Sequence, residues 1–457
     1  MRKKVLLLHC PGDKIYLHDY YTSYSSKANY YWPPSDLIIL SGVLREFELS
    51  VIDAIAEKLR PSECMKKIID LKPDAIIFTT GSATWDNDIR FINEVRQRHS
   101  CLILGSSSMF LFEARYFLEK APSVDALILD LISSEIVEFI QGEKKVYQTI
   151  AYRNKEIFIP TPDLKRGQNF SIPVPHHELF NFHLNKSPLA KRKPFSLVIT
   201  SLGCPYTCSF CVAGSIPYRY RNVDNVIEEL KYLKSLGIRE IMFNDPTFTV
   251  SKKRVLELCQ KMKENGLDFT WVCNAHAATV SEDLVKTMRL AGCHTMMIGV
   301  ESSQEEILKK YSKGATKDQI KRAFQICQKY KIRTLAYFII GLPGETKQSV
   351  LETIKLAKEL DCDYASFTVP TPDIGSRMRQ EAIEKGWLDE KIKIFDSTCF
   401  PVFCSAELTK EEIWKLRQRA FREFYLRPAY LLKKINSIRS LKEFFFFLDQ
   451  ALAMFLR

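Results

Sequence analysis

The chain has 457 residues, enough for two to four domains at about 100–200 residues each. Hydrophobic residues make up 46% and charged residues 26%, which excludes a disordered chain and leaves material for large cores. The formal net charge of +12 comes from Lys and Arg interleaved with acids along the chain, so it describes a solvated basic surface and gives no ground for nucleic-acid binding.

Met1-Arg2-Lys3-Lys4 precedes an apolar run at 5–8 that ends at Pro11-Gly12. This run is too short for a signal core or a membrane span and fits a buried strand. The 13 cysteines are an odd number in a long chain, read as free thiols and metal ligands of a cytoplasmic protein rather than a disulfide framework.

Residues 1–142 alternate apolar runs (5–8, 49–53, 75–79, 101–105, 126–129) with amphipathic stretches (37–47, 61–71, 86–98, 110–120). That alternation predicts an α/β, doubly wound, Rossmann-like domain with a parallel sheet covered on both faces. Ligands of such sheets bind at the carboxyl ends of the strands. Here those ends are residues 9–12, Asp53, 79–84 and 105–108, small and hydroxyl-bearing, which on their own read equally as tight turns. Residues 143–195 are polar and basic, with Pro160, Pro162, Pro173, Pro175, Pro188 and Pro194, and read as a partly extended linker. Its His176-His177 pair has no ligand spacing around it and is expected at a surface or interface.

Residues 196–370 repeat the βα alternation, with strands expected at 196–200, 240–244, 270–273, 295–300, 334–340 and 365–369. Ser303 with Glu306 and Thr316 with Gln319 have the spacing of capping boxes. Six such units predict a partial (βα)6 TIM-like barrel, whose chemistry sits at the carboxyl ends of its strands. Residues 371–457 read as a helical region, opened by a third box at Thr409 and Glu412. Its Arg417, Arg419, Arg422 and Arg427 are interleaved with Trp414, Phe421, Phe424 and Tyr425, and an apolar run follows at 444–448. The plain reading is a cap on the barrel. The sharper one is a face for a lipid-like substrate or peripheral membrane contact.

The strongest chemical signal is Gly203-Cys204-Pro205-Tyr206-Thr207-Cys208-Ser209-Phe210-Cys211, directly after a predicted strand. Three thiolates in C-x-x-x-C-x-x-C spacing bind three irons of a cubic cluster and leave the fourth open. A zinc site is the alternative, but it calls for four ligands and no obvious fourth is near. Unrelated thiols are the other alternative.

With the aromatic Phe210 before the last cysteine, this run resembles the radical S-adenosylmethionine (SAM) superfamily. The resemblance implies a [4Fe–4S] cluster on Cys204, Cys208 and Cys211 that binds SAM and cleaves it to methionine and a 5′-deoxyadenosyl radical. It implies SAM contacts at three further elements. Asp245 follows the second barrel strand and resembles the acidic contact to an amino group, a turn aspartate being the alternative. Gly299, Glu301 and Ser302 end the fourth strand and resemble the ribose-contacting element. Gly341, Leu342 and Pro343 close the fifth and resemble the adenine-proximal loop, where glycine would permit close approach of a flat ring. Where relatives often carry an arginine, this chain has Asn274 and His276, read as orienting or packing residues ahead of an acid role.

The order of domains resembles the cobalamin-binding class of this superfamily. Trp32-Pro33-Pro34 and Thr79-Thr80-Gly81-Ser82 match elements of that class. Cobalamin contacts would then be Asp53, Thr80, Ser82, Gly105 and Ser106. Two loops depart from the pattern: Gly105-Ser106-Ser107-Ser108 replaces a double glycine, and Leu129-Asp130-Leu131-Ile132-Ser133-Ser134 replaces a Gly-Glu element. The expected function is radical chemistry on a small-molecule or lipid-like substrate, fed by an electron donor such as flavodoxin or ferredoxin. The expected outcome is cobalamin-dependent methyl transfer to an unactivated carbon, with cobalamin-independent cyclisation, desaturation or rearrangement as the alternative. A non-catalytic scaffold is disfavoured by the intact thiol triad.

Overall fold

The structure is a computed structural model and describes residues 2–143, 146–396, 398 and 400–437, with Leu441, Phe445, Leu448 and Asp449 beyond them. The N-terminal sheet begins with β1 (Lys4–His9), β2 (Glu48–Asp53), β3 (Ala75–Thr79), β4 (Leu102–Ser106) and β5 (Ala126–Ile128), all parallel. These strands are apolar throughout because each supplies two cores. Val5, Leu7 and Ile77 join one with α1 (Ser35–Val43), while Leu6, Leu8 and Phe78 join the other with α2 (Pro61–Leu71), α3 (Trp85–Arg98) and α4 (Phe110–Lys120).

Part of the expected linker belongs to this sheet. After α5 (Glu135–Gln141), β6 (Ile150–Asn154) and β7 (Glu156–Phe158) form a hairpin that extends it antiparallel, in the order β2-β1-β3-β4-β5-β6-β7. Lys155 takes a left-handed φ of 60° at the turn. A second unforeseen hairpin, Tyr16–His18 with Ser23–Ser25, follows β1. His177 is not at a surface. It is buried between Glu229 (2.8 Å) and Ser196 (3.0 Å), and Glu229 also pairs with Arg221.

The second sheet holds β8 (Phe195–Val198), β9 (Glu240–Phe243), β10 (Thr270–His276), β11 (Cys293–Glu301), β12 (Arg333–Ile339) and β13 (Tyr364–Thr368), parallel and paired in chain order. Helices α6 (Val223–Ser235), α7 (Lys252–Glu264), α8 (Glu282–Leu290), α9 (Glu305–Lys310), α10 (Lys317–Lys329) and α11 (Lys347–Glu359) alternate with these strands. Thr316 and Gln319 cap α10 as expected. Ser303 does not cap α9, whose N-cap is Gln304; its amide and hydroxyl bond Thr353 instead.

Among the described residues β13 does not pair back to β8, so the barrel is open on one side. Two elements meet that opening. Lys27, in the stretch after the Tyr16–Ser25 hairpin, bonds Ser366 of β13, and Tyr425 of α13 (Lys410–Tyr425) donates to the Ala365 carbonyl. α12 (Arg377–Glu384) and α14 (Pro428–Ser437) complete the described helices, none of which is long and apolar enough to cross a membrane.

Candidate active site

The thiol loop leaves β8 through Thr200 and Ser201 and is shaped by Gly203. At its φ of 68°, a Cβ would sit 2.4 Å from the Ile216 carbonyl oxygen, so only glycine fits. The loop closes on itself, with Cys204 N donating to Ala213 O (2.9 Å) and Cys211 N to Cys208 O (3.0 Å). Burial pushes all three thiols up, Cys208 to about 11 and Cys211 to about 12, and each of these two also feels the other thiols of the loop. Among the described residues no three His, Cys, Asp or Glu side chains converge on a single ion.

A buried cation faces the loop. Lys313 lies beside Cys208 and Cys211, 6.0 Å from the Phe210 ring, and its Nζ donates to Glu301 Oε1 at 2.7 Å. Glu301 and Lys313 are both buried. Glu301 ends β11 at a register shift against β12, with a left-handed φ of 66° that a branched-free but bulky residue adopts only under constraint. A Cβ at Gly299 would lie 2.2 Å from Glu301 Oε1 and 2.4 Å from Lys313 Nζ, so glycine there makes room for the ion pair. His276 stacks on Tyr206 at 3.9 Å, and its Nε2 donates to the Lys313 carbonyl at 2.6 Å. Burial, with Lys313 adding to it, holds the imidazole down at about 4, so it is neutral and orients rather than ionises.

Several residues expected to touch SAM have polar groups that brace the loops at the strand ends. Asp245 is fully buried; its carboxylate accepts from Thr200 N (2.6 Å), Ser201 N (3.0 Å) and the Thr200 hydroxyl, which fixes the path into the thiol loop. Arg254 of α7 secures the same turn through Thr200 O (2.9 Å) and Arg221 O (2.9 Å). Ser302 donates to Glu345 Oε1 (2.5 Å), and the amides of Gly341 and Leu342 both donate to Glu345 Oε2 (3.0 Å each). The space a Cβ would take at Gly341 is filled by Ile413 of α13 at 2.7 Å, so glycine here lets α13 pack closely on the loop. The Pro343 carbonyl accepts from Lys310 (3.0 Å) and Tyr311 (3.2 Å). Sequence reasoning missed Glu345, Arg254 and the Lys313 side chain as positioning residues. Glu345 lies two residues beyond Pro343, and its buried bonds to Ser302, Gly341 and Leu342 appear only in three dimensions.

Asn274 is half-buried; it donates to the Asp245 carbonyl (2.9 Å) and lines a cavity of about 1050 Å3 in the barrel. Asn244, Met297 and Tyr337 line it from other strands, residues 22–32 and Leu189 cover the open side, and Trp414, Arg417, Phe421 and Tyr425 enter from α13. Of the two cysteines that flank residues 400–403, Cys404 is a free, part-buried thiol and Cys399 lies outside the described residues.

The carboxyl ends of the N-terminal sheet differ. Asp53 accepts from the Tyr31 hydroxyl, from Ala56 N (3.0 Å) and from His9 Nδ1 (3.1 Å). Ser106 and Thr79 donate to the buried Asp36 (2.7 and 2.9 Å). Thr80 is buried, and the Ser82 carbonyl accepts from Phe395 N (2.9 Å). A Cβ at Gly81 would strike Ser23 Oγ at 2.4 Å, and one at Gly105 would meet Leu127 and Phe110 at 3.0 and 3.1 Å. Asp53 and Ser106 are thus engaged by the chain's own side chains and Gly105 packs on its neighbours, whereas the buried His9 Nε2 and His18 Nδ1 at the same face have no hydrogen-bond partner among the described residues.

An α/β domain joined to an open parallel barrel, with a tricysteine loop at the first strand end, defines an iron–sulfur enzyme of the SAM-cleaving type. Residues 198–357 match the family model described as the Radical SAM superfamily. The chain is 34% identical over 417 residues to a protein of Pyrococcus horikoshii named an uncharacterized methyltransferase, spanning 88% of this chain and 90% of that one. It is 24% identical over 442 residues to the anaerobic magnesium-protoporphyrin IX monomethyl ester cyclase of Rubrivivax gelatinosus, spanning 91% and 78%. The chain belongs to the radical SAM superfamily. Its fold is shared with the radical SAM methyltransferase TsrM of Kitasatospora setae, solved with cobalamin and a [4Fe–4S] cluster (TM-score 0.70, 16% identity, 94% of this chain and 90% of that one). It is also shared with the cobalamin-dependent radical enzyme OxsB (TM-score 0.72, 15% identity, 100% and 72%).

Proposed function

We propose that this enzyme removes hydrogen from a carbon of a substrate seated in the barrel cavity. Cys204, Cys208 and Cys211 would hold the [4Fe–4S] cluster, and Gly299, Glu301, Asn274 and Phe210 would flank SAM. The observation that carries the reading is the buried Lys313–Glu301 pair set against the thiol loop. Bound there, cluster and SAM supply a 5′-deoxyadenosyl radical once an external donor such as flavodoxin or ferredoxin delivers one electron. The protein's share is to hold thiolates in a buried, water-poor loop, to offset their charge with Lys313, and to keep His276 neutral. Anaerobic reconstitution tests it: iron and sulfide should reach four each per chain, and reduction should yield 5′-deoxyadenosine and methionine. Absence of a cluster in the wild type would refute it.

Two finer readings divide on the N-terminal face. Cyclisation, desaturation or rearrangement without cobalamin is supported by the closed strand ends at Asp53, Gly81 and Gly105. Cobalamin-dependent methyl transfer to an unactivated carbon is supported by the names of the Pyrococcus relative and of the structural neighbours. Supplying hydroxocobalamin during purification separates them: a stoichiometric corrin spectrum selects methyl transfer, and its absence selects the other.

A further inference from the structure

The thiol loop is held in part from outside the barrel. Asp245 and Arg254 fix Thr200 and Ser201 at its entry. Its far side is tied to Tyr311 after α9 and to Met378 of α12, with Ser209 N donating to Tyr311 O (2.9 Å) and Met378 N to Ser209 O (2.8 Å). Between these anchors stand Leu202 and Gly203, the two residues before Cys204, and the N-terminal domain reaches both. The Gly203 amide donates to the Tyr21 hydroxyl oxygen at 2.8 Å. Leu202 pairs with Arg219 of the short antiparallel strand Arg219–Arg221. The Arg219 guanidinium in turn donates through both terminal nitrogens to the Asp130 carboxylate, at 2.7 and 2.8 Å. Arg219 and Asp130 are both buried, so water competes little with this two-pronged, charge-assisted contact.

The groups that reach across are themselves fixed. Tyr21 sits in the turn of the Tyr16–Ser25 hairpin, where the Asp19 carboxylate accepts from Tyr21 N and Thr22 N (2.9 Å each) and Asp19 N donates to Thr22 O (3.1 Å). Ser108, after β4, donates to the Tyr20 carbonyl through its amide (3.1 Å) and to the Tyr21 carbonyl through its hydroxyl (3.4 Å). Asp130 follows β5. The supports therefore lie in the loops 105–108 and 129–134, both at the carboxyl edge of the N-terminal sheet. Glycine is the most pliable residue a chain can carry, and Gly203 stands directly before the first thiol; holding its amide and its neighbour's strand pairing removes that freedom before any metal binds. We propose that Tyr21 and Asp130 are positioning residues for the iron–sulfur cluster, which set the direction of the chain into Cys204 through Gly203 and Leu202 and so make the N-terminal domain part of the cluster's mounting. This rests on the reading of Cys204, Cys208 and Cys211 as the cluster ligands.

The test uses the full-length protein, reconstituted anaerobically, with the variants Y21F, D130N, D130E and D125N. D125N is the control, because Asp125 bonds Arg96 and the Ile103 amide inside the N-terminal domain. Release of iron to a ferrous chelator should quicken about tenfold in Y21F, the factor that one lost hydrogen bond supplies, and further in D130N, where a charge-assisted pair is broken. The g values of the dithionite-reduced cluster, read by electron paramagnetic resonance, should move in both, since the hydrogen bonds and backbone around a cluster tune its electronic state. D130E keeps a carboxylate for Arg219 and should recover most of the wild-type release rate and spectrum, and D125N should match the wild type in both. Y21F keeps its ring and loses one half-buried hydroxyl, so it carries the test even where D130N does not fold. Wild-type release and g values in Y21F would overturn the proposal, as would an equal change in D125N. A wild type that holds no iron and sulfide would refute the cluster reading, and this proposal with it; a loaded wild type with unaltered variants would refute this proposal alone.

Discussion

Two faces of this molecule are built alike and end differently. Each is the carboxyl edge of a parallel sheet, where loops converge and ligands bind in folds of this type. At the N-terminal face part of the polar set is taken up by the chain itself, since Asp53 bonds Tyr31 and His9, Asp36 takes Thr79 and Ser106, and Ser23 fills the space over Gly81, while the buried His9 Nε2 and His18 Nδ1 have no hydrogen-bond partner among the described residues. At the barrel face the braces stop one layer short. Asp245, Arg254 and Glu345 fix the loops, the thiols, Glu301 and Lys313 are left among them, and a cavity opens at Asn244 and Asn274. The two faces thus differ in which groups their internal bonds consume: carboxylates at the N-terminal edge, and the loops that flank the thiols at the barrel edge.

The sharpest way to break that comparison is by cysteine. Cys204→Ala, Cys208→Ala or Cys211→Ala should each remove the cluster's visible absorbance and reduce 5′-deoxyadenosine formation to background. Cys10→Ala, a buried thiol at the N-terminal face, should leave both intact. A cluster that survives loss of any triad thiol would dissolve the contrast. Next in size is the ion pair. Glu301→Gln leaves Lys313 charged and buried without its partner, which should cost about 3–5 kcal/mol in denaturant unfolding and weaken SAM binding. A variant as stable as the wild type would show that the pair is not held in the folded core.

The sequence made the barrel face more legible than the N-terminal one, for physical reasons. All eleven expected strands form, because buried parallel strands are continuous apolar runs that need no tertiary context to recognise. The thiol spacing is local, so its loop could be read residue by residue. Roles that depend on distant partners could not. Asp245 looked like a ligand contact because nothing in the sequence shows that Thr200 and Ser201, 45 and 44 residues earlier, consume its oxygens. His177 looked exposed because Glu229 is 52 residues away. The Tyr16–Ser25 hairpin was invisible because its strands have three residues each, below the length at which alternation registers. That hairpin closes the N-terminal face, so the sequence carried the fold of that domain further than its cofactor.

A smaller effect sharpens the N-terminal half of the comparison. Tyr31→Phe removes a hydroxyl that donates to the buried Asp53 and should cost about 1.5–3 kcal/mol of stability. SAM cleavage should stay at the wild-type level, since no barrel strand end contacts this group in the structure described. A variant that gains hydroxocobalamin binding would show that the hairpin is a removable cover over a corrin site and would return the methyl-transfer reading to first place. A variant that loses stability alone would mark the face as a scaffold.

The smallest expected effect is a pH dependence at the brace that joins the two SAM elements of the barrel. Glu345 is buried, and burial raises it from 4.5 to about 7 despite the bonds it accepts from Ser302, Gly341 and Leu342. A carboxyl whose pKa is raised on folding favours the folded state fully below its unfolded value. That contribution is lost as pH rises from about 4.5 through about 7. Glu345→Gln removes the titration but keeps a carbonyl acceptor for one amide. The stability advantage of wild type over variant, taken from denaturant midpoints, should therefore shrink by roughly 1–2 kcal/mol between pH 5 and pH 8. Asp19 and Asp373 titrate in the same window and affect both proteins, so only the difference between them isolates Glu345. A gap that is flat or widening with pH would mean that the carboxylate is the form the folded loop prefers, and that its hydrogen bonds outweigh its burial.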